Sequence, residues 1–297
     1  MRRGGPRLAP TIALSVLVAV FACRVALAGP ADPFGGVEIK ATHVAGAVHM
    51  LEGAGGNIGV SVGDDGVLIV DDQFAPLAGR IEAAIVVLGG AAPRFILNTH
   101  FHGDHTGGNA HFGRTGLIVA HENVRTRLAS GQAPAVALPV VTYQDRVRIH
   151  FNGDDIDVIH LPTGHTDGDS VVWFKNAGVI HMGDHFFSGR FPFVDVASGG
   201  SVAGFVANIE AVLDMVPADT QVIPGHGPLG GVDELRLALE VIRESADIVR
   251  KAMADGTLDD LKRNGFGRWS EWGSGFISEG RWIAIVEQSE RGVAPSF

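Results

Sequence analysis

The sequence predicts an α+β protein built as a four-layer αββα sandwich, two packed sheets with helices on their outer faces. Two observations lead there. Strand signals give way to helical periodicity, and the same succession repeats in the second half of the chain. No low-complexity linker separates the halves, so residues 29–297 are read as one domain with a C-terminal extension from about residue 255.

The first strand block covers residues 37–72. His49-Met50-Leu51, Ile58-Gly59-Val60-Ser61-Val62 and Val67-Leu68-Ile69-Val70 are short apolar runs divided by Gly-rich or Asp-Asp-Gly turn signals. Residues 76–88 follow as an amphipathic helix closed by Gly89-Gly90. The run Arg94-Phe95-Ile96-Leu97-Asn98-Thr99 reads as a buried strand, and a helix is expected over about 103–111. Residues 116–120 read as a strand and 121–130 as a helix. The second block, 140–182, holds Arg146-Val147-Arg148-Ile149, Ile156-Asp157-Val158-Ile159, Ser170-Val171-Val172-Trp173-Phe174 and Val179-Ile180-His181. Helices over 202–215 and 232–254 flank a short strand, Gln221-Val222-Ile223. Beyond 255, Trp269, Trp272 and Trp282 are read as core residues of a packing extension.

The N-terminus reads as a signal peptide over residues 1–28. Arg2, Arg3 and Arg7 precede an apolar run over 12–22, and Ala26-Leu27-Ala28 supplies a small-x-small cleavage pattern. The expectation is a secreted or periplasmic protein with no membrane span in its mature form, the apolar run being shorter than the roughly 20 residues a span needs. A minor alternative is a lipid anchor at Cys23 in Val20-Phe21-Ala22-Cys23, where Phe21 fits poorly. Cleavage after Ala28 removes the chain's single cysteine, so any metal site must use imidazole nitrogen and carboxylate oxygen. It also removes four of the 23 basic residues, leaving 19 against 33 acids, a formal −14. Such a surface repels nucleic acid and anionic membranes, and the expected partner is a small-molecule substrate.

His100-Phe101-His102-Gly103-Asp104-His105 puts three imidazoles and a carboxylate at the carboxyl end of a strand, where α/β folds keep their chemistry. Three later segments repeat the theme at strand ends: Pro162-Thr163-Gly164-His165-Thr166-Asp167, Met182-Gly183-Asp184-His185 and Pro224-Gly225-His226-Gly227. His100 and His102, two apart on extended backbone, project to one side. Asp104 and His105, past the turn, can face a second ion, and two ions about 3.5–4 Å apart can clamp and deprotonate one water.

In this order, His-x-His-x-Asp-His and then separated His, Asp and His, the segments resemble the signature of the metallo-β-lactamase superfamily over roughly residues 45–245. The resemblance implies the αββα fold and two metal ions, usually Zn²⁺; the all-nitrogen-and-oxygen donor set also admits iron or manganese. It implies that His100, His102 and His165 hold the first ion, that Asp104, His105 and His226 hold the second, and that Asp184 bridges them. In that scheme a bridging hydroxide attacks a carbonyl polarised by the first ion. Asp104 is the catalytic residue that anchors the second ion and orients the hydroxide, and no protein nucleophile is required.

Gly164-His165-Thr166, Asp169-Ser170-Val171-Val172-Trp173 and Ile223-Pro224-Gly225-His226-Gly227-Pro228 look like β-lactamases with a cysteine in the second site. Asp184 in the cysteine's place, and His105 after Asp104, instead resemble the glyoxalase II, lactonase and general hydrolase branches. The expectation is a secreted dinuclear zinc hydrolase of amide or ester-like carbonyls, β-lactams first, with lactones, thioesters or other esters as the alternative. Arg190 is the candidate for a substrate carboxylate, and Phe186, Phe187, Phe191 and Phe193 either line a substrate wall or pack in the core. A reading of another class is a periplasmic di-iron oxidoreductase or accessory metal-binding protein. Di-iron oxygen chemistry involves a flavin-bearing partner domain, for which the chain has no room, and an intact set of seven ligands speaks against a non-catalytic role. Among the remaining residues, His160 and His181 are expected to be structural. His185, Asp71, Asp72, Asn98 and Thr99 either brace the ligands or serve packing and turns.

Overall fold

Parallel pairing within each of two sheets decides where the chemistry can sit. The first sheet runs in chain order: β1 Lys40–Ala45, β2 Val48–Glu52, β3 Ile58–Gly63, β4 Gly66–Val70, β5 Phe95–Leu97, β6 Leu117–His121 and β7 Val141–Tyr143. Strands β1–β4 are antiparallel hairpins, whereas β4 to β7 pair in parallel. Parallel neighbours need crossover connections. These are α1 Ala78–Val87, the pair α2 Gly103–Thr106 and α3 Asn109–Phe112, and α4 Glu122–Ser130. The second sheet contains β8 Arg146–Phe151, β9 Asp154–His160, β10 Ser170–Phe174, β11 Val179–His181, β12 Gln221–Ile223 and β13 Gly230–Gly231, in the order β13-β12-β11-β10-β9-β8. Only β11 and β12 pair in parallel there.

The parallel pairs align strand ends. Val70 and Leu97 are register partners in β4 and β5, as are His181 and Ile223 in β11 and β12. The loops that leave them, carrying Asp71, His100, Asp184 and His226, therefore emerge on the same edge of their sheets.

Alternation along the strands builds the layers. Met50, Leu68, Val70, Leu97 and Val119 of the first sheet meet Phe151, Ile156, Val158, Val172, Phe174, Val179 and Ile223 of the second. The intervening Ile69, Ile96 and Ile118 are also buried, on the opposite face, as are Ile81 and Ile85 of α1. The outer face of the second sheet joins a larger core with α5 Val202–Met215, α6 Val232–Asp255 and α8 Glu279–Arg291. Glu234 accepts the Gly231 N–H at the start of α6, and Gly256 ends that helix with φ 72°, a left-handed stop that glycine adopts without strain. Helix, sheet, sheet, helix is the predicted four-layer sandwich.

The computed structural model describes residues 32–292 with positions 1 and 5. The expected leader, its cleavage site and Cys23 lie outside the described residues. Contacts separate Gly36–Phe297, one compact unit, from Met1–Gly35. No helix among the described residues is long and apolar enough to cross a membrane.

One local expectation changes. The helix over 103–111 is two single turns, α2 and α3. The loop after β4 packs on the backbone between them: a Cβ on Gly107 would lie 2.7 Å from the Gln73 carbonyl, and one on Gly108 2.7 Å from that of Asp72. The C-terminal extension packs on the core through helices. After α6 come α7 Leu258–Asn264 and α8, and Trp269, Trp272 and Trp282 are all buried in the larger core.

Candidate metal centre

All seven predicted ligands converge. His100, His102, His165 and Asp184 form one group and Asp104, His105 and His226 another, with the donor atoms of each group within 4.8 Å of one another. Asp184 lies between them. Its Oδ2 is 3.5 Å from His165 Nε2 and 3.8 Å from His100 Nε2. Its Oδ1 is 3.0 Å from His105 Nε2 and 3.4 Å from His226 Nε2. Asp104 Oδ2 completes the second group, 3.4 Å from His226 Nε2 and 3.7 Å from His105 Nε2.

The outer nitrogens fix the tautomers, and the tautomers reveal what the inner nitrogens offer. Asp71 anchors one side of the site. It accepts the Thr99 backbone N–H and hydroxyl at 2.8 and 2.7 Å, and it accepts His105 Nδ1–H at 2.7 Å. Because the Thr99 hydroxyl gives its proton to Asp71, it can only accept from His100 Nδ1, 3.0 Å away. The Phe193 carbonyl accepts His165 Nδ1–H at 2.8 Å, and the Asp195 carboxylate accepts His102 Nε2–H at 3.0 Å. For His100, His102 and His165 this leaves a lone pair on the inner nitrogen. Those lone pairs face one another at 3.1 Å between His100 and His102 and at 2.9 Å between His102 and His165.

Three lone pairs this close repel unless a cation sits among them. The second group makes the same point: although two imidazoles lie near it, buried Asp184 Oδ1 has no hydrogen bond of sound geometry. The donor set of imidazole and carboxylate fits divalent first-row metals.

Electrostatics split the two groups. Burial lowers His100 well below the ordinary imidazole range and His165 to about 4, which keeps both neutral and ready to ligate. Burial also opposes charge on His105 and His226, but Asp184, with Asp71 and Asp104, raises His105 well above its usual value and His226 to about 9. Burial pushes the Asp184 carboxyl up, yet the surrounding imidazoles hold it well below the usual carboxylate range.

His181 and His160 are structural, bonded to the Asn57 and Asp169 carbonyls. His185 packs rather than reaching the ligands: it is buried, stacked on Phe205 at 5.1 Å and 3.0 Å from Asn208 Nδ2. Thr99 and Asp71 brace ligands, whereas Asn98 pairs with Asn109 and Asp72 accepts Gly108 N–H. Sequence reasoning missed Asp195. It lies in an irregular loop 93 residues from its partner His102, and no local pattern marks it.

A cleft of about 560 Å³ opens over the centre, with His102, Asp104, Asp184 and His226 at its floor. Arg190, Phe187, Phe191 and Phe193 line it, as do Phe74 and Phe276, which the sequence reading did not single out. Phe186 does not line it and belongs to the core alone.

The family model of the metallo-beta-lactamase superfamily matches residues 51–226, more than half of the chain and a span containing all seven ligands. A type 2 metallo-beta-lactamase of Bacteroides fragilis is 22% identical over 53% of this chain and 62% of its own. A hydroxyacylglutathione hydrolase of Rhodospirillum rubrum is 35% identical over 44% of this chain and 47% of its own. The chain thus spans only about half to three fifths of the length of these relatives. A solved metallo-beta-lactamase from Pontibacter korlensis superposes with a TM-score of 0.61 at 17% identity, covering 69% of this chain and 99% of that one. The matched segments, the two-sheet architecture and the convergent His/Asp cluster agree: this chain belongs to the metallo-beta-lactamase superfamily.

Proposed function

We propose that the protein is an exported, zinc-dependent hydrolase that opens amide or ester-like carbonyls of small molecules, with the β-lactam ring as first substrate. The observation that carries this reading is the convergence of three inner imidazole lone pairs on one side of Asp184, whose other oxygen has no hydrogen bond, at the floor of a small-molecule-sized cleft. His100, His102 and His165 would hold one cation and Asp104, His105 and His226 the other, with Asp184 shared. Two cations there would supply a water acidic enough to be deprotonated near neutral pH and a positive field for a developing oxyanion.

The chain's own residues do the rest. Asp71, Thr99, Asp195 and the Phe193 carbonyl hold the rings so that no reorientation is needed during turnover. Burial raises Asp104, but His226 and His105 outweigh it, so the group stays a carboxylate that can orient an attacking water. Phe187, stacked on His226 at 5.0 Å, covers one face of that ring. Arg190 lines the cleft with no carboxylate partner among the described residues, and it is the cation that a substrate carboxylate would meet.

A second reading, hydrolysis of a lactone or thioester, draws on the shared Asp184 and on the likeness to the hydroxyacylglutathione hydrolase. The test is zinc-loaded protein given nitrocefin, an N-acyl homoserine lactone and a thioester in parallel. The expected result is nitrocefin turnover that a chelator stops and zinc restores. Turnover of the lactone or thioester alone moves the substrate class and keeps the hydrolase. No turnover of any of the three contradicts the reading.

A further inference from the structure

The cleft has one wall that the family match does not reach. Phe276 lies in the C-terminal extension, fifty residues beyond the end of the matched span, yet it lines the same cleft as His102, Asp104, Asp184 and His226. It is 72% exposed, the most exposed large hydrophobic side chain described apart from Val87 and the N-terminal methionine. Its neighbours in sequence do the opposite: Ile277 and Trp272 are buried in the core.

Phe276 is held there rather than left loose. Arg281, in the first turn of α8, lays its guanidinium 4.9 Å from the Phe276 ring and 5.5 Å from that of Phe193. Phe193 in turn stands 5.9 Å from His102 and 6.0 Å from His165. The extension is fastened to the site at two more points. The Trp272 carbonyl accepts Phe191 N–H at 3.0 Å, and Gly275 packs so closely on the Arg190 stem that a Cβ there would lie 3.1 Å from Arg190 Cβ. A ring aimed into a cleft and fixed by cation–π contact costs solvation that a bound apolar group would recover.

We propose that Phe276 is a specificity-determining residue: with Phe193 and Phe187 it forms an aromatic wall that selects substrates carrying an aryl or comparably bulky apolar group beside the reacting carbonyl. This rests on the hydrolase reading above and names the substrate class that the reading leaves open. Arg281 positions the ring and takes no part in the chemistry.

Binding without turnover tests it. Benzyl mercaptan and 2-mercaptoethanol carry the same metal-seeking thiol and differ in the ring, so their affinities for zinc-loaded protein by calorimetry separate wall from centre. Phe276→Ala is expected to weaken benzyl mercaptan about tenfold while changing 2-mercaptoethanol less than twofold, and Phe276→Trp to keep the aromatic preference. The exposed position makes misfolding no explanation for a loss. Equal effects on both thiols, or none on the aromatic one, overturn the wall. Failure of both thiols to bind the zinc-loaded wild type overturns the hydrolase reading and the wall with it.

Discussion

Asp184→Asn is expected to remove metal and hydrolysis together while the protein still folds. The substitution keeps the shape of the side chain but deletes the charge that four imidazoles surround, with Oδ1 turned to one group and Oδ2 to the other. Among the described residues no other side chain touches both groups in this way, so both lose affinity at once. Turnover of whichever substrate the wild type accepts is expected to fall by at least about 10³-fold, ~4 kcal/mol of transition-state stabilisation. Bound zinc measured on the same preparation falls with it. Wild-type activity in the Asn variant would remove Asp184 from its shared position in the account.

Trp282→Ala is expected to cost about 3–5 kcal/mol of stability, the range for emptying a buried aromatic site. Trp282 is fully buried, stacks on Phe191 at 5.7 Å and 12°, and donates Nε1–H to Ser245 Oγ at 2.8 Å. Its loss therefore leaves a cavity and a hydroxyl without its donor at the same place. Phe191 is two residues from Phe193, whose carbonyl holds His165, so the damage reaches the first ligand group. Denaturant unfolding with and without zinc measures both effects. The variant should show a lower midpoint and a smaller gain from zinc than the wild type. A midpoint loss worth less than about 1 kcal/mol would mean that the extension is not a structural part of the core.

The ligands were legible because each ligand segment follows an apolar strand and contains a glycine, a local pattern that survives without tertiary knowledge. The two-sheet sandwich was legible for a related reason, since period-two burial switched to helical periodicity twice. What failed needed partners distant in sequence. The helix over 103–111 breaks because the loop after β4 donates and accepts across its middle, and nothing within 103–111 announces that loop. Asp195 acts only through His102. Helix α8 did carry a signal: Ser278 before Glu279, then apolar Trp282, Ile283 and Val286 at helical spacing. Phe186 and Phe187 are adjacent and chemically identical, and only the course of the backbone decides which one faces the cleft.

The central claim is that the cluster is built for two cations. Calorimetric titration of chelator-stripped protein with zinc, repeated in buffers of different ionisation enthalpy, tests it most directly. His226 is raised to about 9, so at pH 7 it carries a proton that zinc must displace, and the neighbouring carboxylates push His105 in the same direction. Two equivalents per chain with net proton release are expected, and below pH 9 the affinity at the His226 group falls about tenfold per unit for that proton alone. Uptake of fewer than two equivalents, or binding with no proton release, would contradict the account.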